Sequence, residues 1–354
     1  MVKYVNKKAL VCLQAFPLRR IAFLAARVLL CCLGPSSASA ALQERLDSVI
    51  VCNGNDVLRY EYAYNNNGKL CDSKVYKIDG NAMTLQRITS FGYDASNRNN
   101  ARVDSAYLNG VMKLEWIYDV TYNKDDKVSQ VRCRCPQRGA DELSCDSVYY
   151  TYDENGLLLR YVCIDCDTKD SVVCKSFVYD EHGRCIECRV VEKYASRPIE
   201  VGIDRYEYMA GEKIARNVHI APTTGFRTET LNEYDSAGHC VSTQIGYTTK
   251  PEMEWHTKNI MTYDEYGNLL CVREYMMASS GWVHDKTSVY TYDMEQENVL
   301  APDFDGRLFK GRDLRYGLTE NPPCANRLMR IDSFYSDGEE ISSVRYFYSD
   351  GQNR

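Results

Sequence analysis

The feature that most constrains this chain is a short phrase, Tyr-Asp-x-x-Gly, that returns at a nearly fixed interval. It reads Tyr152-Asp153-Glu154-Asn155-Gly156, Tyr179-Asp180-Glu181-His182-Gly183, Tyr234-Asp235-Ser236-Ala237-Gly238 and Tyr263-Asp264-Glu265-Tyr266-Gly267. Each position has a mechanical task. Asp153, Asp180, Asp235 and Asp264 open a type I turn, their carboxylates accepting the backbone N–H two residues on. Gly156, Gly183, Gly238 and Gly267 close it, because glycine takes positive φ at no steric cost. The Tyr before the turn and the Leu or Cys after it are apolar ends of two strands folded back on each other. The phrase predicts hairpins and carries no chemistry of its own.

The tyrosines before the turns are Tyr64, Tyr93, Tyr122, Tyr152, Tyr179, Tyr208, Tyr234, Tyr263, Tyr292, Tyr335 and Tyr348, with gaps of 29, 29, 30, 27, 29, 26, 29, 29, 43 and 13. A spacing that steady is internal repetition. Degenerate copies such as Tyr64-Asn65-Asn66-Asn67-Gly68 still turn, since Asn tolerates the same backbone region. A second stripe lies two residues upstream, including Tyr62, Phe91, Tyr150, Phe177 and Tyr206, and a third six residues downstream, including Leu70, Leu158, Cys185 and Leu269. Residues two apart share a strand face, so the stripes form an aromatic-aliphatic layer running across the sheet.

Each period has room for two strands. Roughly twenty strands at about 4.8 Å would make an array on the order of 95 Å long, and strand twist must coil it or close it. The expectation is an all-β fold: an array of antiparallel β-hairpin repeats, period about 29 residues, forming a long twisted or superhelical sheet. Units that bury little alone share stability with their neighbours. The expected organisation is a signal peptide over 1–40, repeats over 41–293, an irregular insertion over 294–330 and short terminal repeats over 331–354. The insertion carries Pro302, Pro322 and Pro323. It reads equally as a cap on the last sheet edge or as a binding segment.

The leader expectation rests on six basic residues and no acidic ones before Pro35, an apolar run from Ile21 to Gly34, and Ala38-Ser39-Ala40 as a cleavage site. Beyond it no run is long enough to span a membrane as a helix. Without 1–40 the chain holds 37 basic and 49 acidic residues, a net charge of −12. That charge argues against a nucleic-acid partner. The composition, with 28 Tyr against 9 Phe and 3 Trp, suits thin half-wet sheets.

Met261-Thr262-Tyr263-Asp264-Glu265-Tyr266-Gly267-Asn268-Leu269, Tyr290-Thr291-Tyr292-Asp293 and the tryptophans before repeat strands (Trp116, Trp255, Trp282) resemble the Rhs/YD-repeat class. They are closer still to the YD-like repeat proteins exported by Gram-negative gut and oral bacteria. The resemblance covers roughly residues 45–350. It implies an all-β secreted, periplasmic or outer-membrane-associated protein, often with no known activity. The unit here is longer than in toxin-wrapping Rhs shells, the array is shorter, and no toxin module follows.

Thirteen cysteines follow residue 40. Cys163-x-x-Cys166 and Cys185-x-x-Cys188 have a zinc-ribbon spacing, yet Cys185 occupies the repeat position of Leu158 and Leu269. A two-residue turn at Thr168-Lys169 would set Cys163 opposite Cys174, a geometry suited to a cross-strand disulfide. Disulfide, buried thiol and metal ligand stay open as readings, and Cys135 with Cys145 is a second candidate pair. The five histidines (His182, His219, His239, His256, His284) form no metal or catalytic array, and no nucleophile elbow or phosphate loop occurs. No cofactor or catalytic residue is assigned. The leading expectation is a non-enzymatic surface protein with a protein or glycan partner. The alternatives are a hydrolase using the 294–330 insertion or the Trp255/Trp282 rim, and a structural envelope component.

Overall fold

The structure, a computed structural model, describes residues 45–108, 110–135, 145–165, 171–192, 200–209, 211–297 and 325–349. The leader expected over 1–40 lies outside them. All regular structure in them is β. The first ten strands are β1 (Arg45–Asn53), β2 (Asp56–Tyr64), β3 (Leu70–Asp79), β4 (Ala82–Tyr93), β5 (Asn99–Leu108), β6 (Val111–Tyr122), β7 (Val128–Arg134), β8 (Cys145–Tyr152), β9 (Leu158–Asp165) and β10 (Ser171–Tyr179). The second ten are β11 (Cys185–Glu192), β12 (Glu200–Tyr208), β13 (Ile214–Ala221), β14 (Phe226–Tyr234), β15 (Cys240–Thr248), β16 (Trp255–Tyr263), β17 (Leu269–Ala278), β18 (Gly281–Glu297), β19 (Asn326–Tyr335) and β20 (Glu340–Ser349). The segment expected to be irregular over 294–330 thus gives its ends to β18 and β19, and 298–324 lie outside the described residues.

Every strand pairs antiparallel with the next in sequence, and β20 pairs with β1, setting Val49 opposite Tyr346 and Val51 opposite Val344. The sheet is therefore a closed twenty-stranded barrel. This corrects the expectation of a long twisted or superhelical sheet. A closed sheet has no edge left to aggregate.

The physical reason lies at the tyrosines. In nine hairpins the pairing slips by one residue beside the turn tyrosine, as between Ala63 and Tyr64, Thr151 and Tyr152, or Thr262 and Tyr263. Tyr64 faces Leu70 while Ala63 faces Asp72, so Cys71 is the extra residue. Such a β-bulge bends its strand and increases twist. Repeated around one rim, it curls the sheet until the ends meet.

Register sorts the residues onto two faces. One carries the turn tyrosines, the upstream aromatic stripe and the downstream aliphatic stripe. Their burial is local. Val49, Ile331, Val344 and Tyr346 form one cluster, Phe177, Cys185, Cys188 and Tyr206 another, and Val120, Val128 and Val131 a third. Farther from the turns this face becomes polar, with Arg102, Asp104, Asp204 and His219. The other face is charged at mid-strand, with Glu187, Arg205, Arg216 and Glu229. A barrel crossing a bilayer needs a continuous apolar outer band about 25 Å tall. Among the described residues neither face supplies one. Among the described residues no helix is long and apolar enough to cross a membrane.

Candidate functional site

The tyrosine–aspartate turns all lie at one rim, and their parts interlock. The opening acid accepts more than the sequence suggests. Asp180 Oδ1 accepts the N–H of His182 at 3.0 Å and of Arg184 at 2.9 Å, and Asp264 Oδ1 those of Tyr266 and Asn268. Asp153 accepts from Leu157 and Asp235 from His239, both four residues on. Gly156, Gly183, Gly238 and Gly267 all have positive φ, between 76° and 87°. Where the copy at Tyr122 lacks glycine, Asp126 takes a φ of 58° instead.

Each turn tyrosine also reaches the preceding unit. Tyr93 Oη donates to Leu70 O at 2.7 Å, Tyr122 to Asn99 O, Tyr179 to Leu158 O, Tyr208 to Cys185 O and Tyr263 to Cys240 O. The acceptor is always the residue six after the previous turn tyrosine. Tyr64 donates to Leu46 O at 2.6 Å and Tyr348 to Leu328 O, so the same kind of bond is made on either side of the closure, between β2 and β1 and between β20 and β19. Burial pushes the phenol of Tyr64 well above the usual tyrosine range, which keeps it a donor.

At five turns the side chain five residues after the tyrosine completes the lock. Arg98 lies over the Tyr122 ring at 4.5 Å, Lys127 over Tyr152, Arg184 over Tyr208 and Lys213 over Tyr234. His239 takes this place over Tyr263, stacked at 4.6 Å. Lys127 Nζ goes on to donate to Gly156 O at 2.5 Å. The spacing of 29 encodes this lattice, but only the turn itself was legible as a motif. The basic or His residue five after Tyr93, Tyr122, Tyr179, Tyr208 and Tyr234 was a missed signal; after Tyr152 and Tyr263 that place holds Leu157 and Asn268.

The Tyr335-Ser336-Asp337-Gly338 segment sits at the opposite rim. Gly338 N–H donates to Tyr335 O, so Tyr335 stands where Asp opens the other turns. At that rim large apolar side chains are exposed: Met83, Tyr107, Leu108, Val111, Met277 and Val283. His256 stacks on Tyr247 there at 3.6 Å, and His284 Nε2 lies 2.8 Å from Thr287 Oγ1.

The predicted cysteine pair does not form. Cys163 faces Val173 and Cys174 faces Val162, so the two thiols lie on opposite faces of the sheet and neither is in a disulfide. The pairing shifts by one between Ser171 and Val173, and a one-residue slip reverses every side chain. Cys185 and Cys188 are buried together beside Phe177 and Tyr206. Cys166 lies outside the described residues, as does the loop between Cys135 and Cys145. No group of three or more His, Cys, Asp or Glu is placed to hold a metal among the described residues.

Two polar constellations stand apart from the repeat lattice. On the tyrosine face His219 Nδ1 lies 2.8 Å from Asp204 Oδ1, and Gly202 leaves room for the ring, since a Cβ there would lie 3.1 Å from His219 Cε1. On the other face Glu187 accepts from Arg189 at 2.6 Å and Arg205 at 3.0 Å, which holds its carboxyl below the usual range. A depression of about 520 Å³ at the tyrosine rim is lined by His182, Arg184, Tyr208, Met209, Gly211 and Glu212. Arg184 is already committed there to Asp180 and Gly211 O.

No family model and no curated protein matches this chain. Among solved structures, it is similar to a porin-like protein from Bacteroides uniformis at 10% identity and a TM-score of 0.35, covering 60% of this chain and 94% of that one. A porin-like protein from Bacteroides vulgatus aligns at 11% identity and a TM-score of 0.30, covering 86% of this chain and 99% of that one. TcdB2-TccC3 aligns at 10% identity and a TM-score of 0.31, over 85% of this chain but 19% of that structure.

Proposed function

We propose that this chain is an exported, non-enzymatic YD-like repeat barrel of the bacterial envelope, which offers the rim opposite the tyrosine turns to a protein or glycan partner. The observation that carries this reading is the set of exposed apolar side chains at the rim opposite the tyrosine turns. At the tyrosine rim Met209, Tyr266 and Met294 are exposed too, but they stand among phenols, turn carboxylates and cations engaged with one another. At the other rim Met83, Leu108, Val111 and Val283 remain exposed although nothing in the turn chemistry requires them. Clustered exposed apolar side chains mark interaction surfaces. The charged mid-strand positions on both faces support a barrel that stands in an aqueous compartment of the envelope or at its surface.

The test is a binding screen of residues 41–354 against surface proteins and glycan arrays, repeated with Val111→Ser and Val283→Ser. Capture that the paired serine substitutions abolish supports the reading. Catalytic turnover with no rim-dependent partner would overturn it.

A further inference from the structure

The barrel closes where β20 meets β1, and the wall at that seam has an unusual charge arrangement. On the face opposite the tyrosines, one register row runs Arg59, Ile50, Arg345, Arg330 across β2, β1, β20 and β19. Arg345 and Arg330 are directly opposite one another. Side chains so placed have Cβ atoms about 4.5–5.5 Å apart, and like charges there repel. Arg330 is partly answered by Asp332, whose Oδ1 accepts from Arg330 Nε at 2.7 Å, and Arg59 by Glu61 at 3.0 Å. Arg345 has no ion-pair partner among the described residues. The row thus holds three guanidinium groups against two carboxylates.

Two residues along β20, on the same face, Phe347 is 44% exposed. An exposed phenyl ring set about 6.6 Å along a strand from an arginine pair offers two complementary chemistries. The ring takes the apolar face of a sugar, while the facing guanidinium groups take a carboxylate through paired N–H donors. We infer that Arg345, Arg330 and Phe347 form a wall site for an acidic sugar, a hexuronate unit of a polysaccharide. The carboxylate supplies the negative charge that Arg345 lacks, and binding relieves its repulsion with Arg330. The site lies on the barrel wall and does not depend on the rim reading.

The experiment is calorimetric titration of residues 41–354 with an oligogalacturonate, with a neutral oligosaccharide of equal length, and with inorganic sulfate. The acidic oligomer is expected to bind, and more weakly as salt rises. Arg345→Gln and Phe347→Ser should each weaken it at least tenfold. Arg345→Gln should also keep or raise the melting temperature, because it removes a like-charge contact, so its loss of binding is not a loss of fold. Equal binding of the neutral oligomer, sulfate binding as tight as the oligomer's, or no response to either wall substitution would overturn the inference.

Discussion

The two rims of this barrel are made by the same kind of hairpin, yet they obey different rules. At the tyrosine rim several turn glycines are crossed by a side chain from the preceding unit, although Gly211 there has open space. A Cβ on Gly156 would lie 1.5 Å from Lys127 Nζ, and one on Gly238 would lie 1.6 Å from Lys213 Nζ. At the other rim Gly54, Gly80, Gly110, Gly225 and Gly281 have the same positive φ with nothing within 4 Å of the added carbon. One rim uses glycine for backbone freedom and for the passage of its neighbour. The other uses it for backbone freedom alone. The first rim is a continuous lattice that fixes register from unit to unit. The second is joined only by scattered bonds, such as Arg227 to Pro251 O and Lys77 to Asp56, and exposes apolar residues.

The largest expected difference comes from glycine itself. Gly110→Ala should cost about 1–2 kcal/mol, the penalty of an L-residue in the left-handed region. Gly156→Ala adds the displaced Lys127 and its bond to the Gly156 carbonyl, for about 2–3 kcal/mol in all. Denaturant melts of both variants measure the gap, and equal losses would remove the distinction between the rims. Next comes the phenol bond. Tyr263→Phe deletes the donor to Cys240 O and should cost about 1 kcal/mol, against nearly zero for Tyr107→Phe at the other rim.

Acid should act chiefly on the tyrosine rim, since the other rim offers the exposed Glu254, held low by the side-chain bond from Lys250, against a whole series of turn acids at the first. The hydrogen bond from the Arg98 side chain, then its backbone N–H, holds Asp94 below the usual carboxylate range. At Asp235 the backbone N–H of His239 comes first. At Asp180 and Asp264 burial pushes upward, but the bonds from Arg184 and from Asn268 outweigh it. Carboxyls depressed in the folded state stabilise it fully above their unfolded pKa, near 4, and lose that contribution as pH falls through the folded value. Hydrogen exchange should therefore show the tyrosine-rim turns opening first below about pH 4, ahead of the turns at Gly110 and Gly281. The smallest effect is that of the cation. Lys213→Gln removes the charge from the Tyr234 face and should cost about 0.5 kcal/mol, while Lys113→Gln, near the other rim, should change nothing measurable.

Much of this architecture could be read from the chain. Asp153, Gly156 and their copies mark turns because acid and glycine each have a narrow local reason to be there. Tyr64 and Leu70 share a face because both flank such a turn. Closure could not be read, because it depends on the pairing of Val49 with Tyr346, some three hundred residues apart. Its local cause, the extra residue at Cys71, Asn100, Ser129 or Leu270, has no side-chain signature: those four differ in size and polarity. The same blindness misplaced Cys163 against Cys174, where one unseen shift near Ser171 turned the thiols apart. The apolar opposite rim was invisible because its residues follow no period.

The central claim is that the sheet closes, and the seam tests it directly. A photo-crosslinking amino acid at Phe347, which pairs with Ser48 across the seam, should on irradiation yield an intramolecular crosslink to a β1 peptide in mass-spectrometric mapping. Crosslinks confined to β19, with none reaching residues 45–53, would show an open array and contradict the barrel.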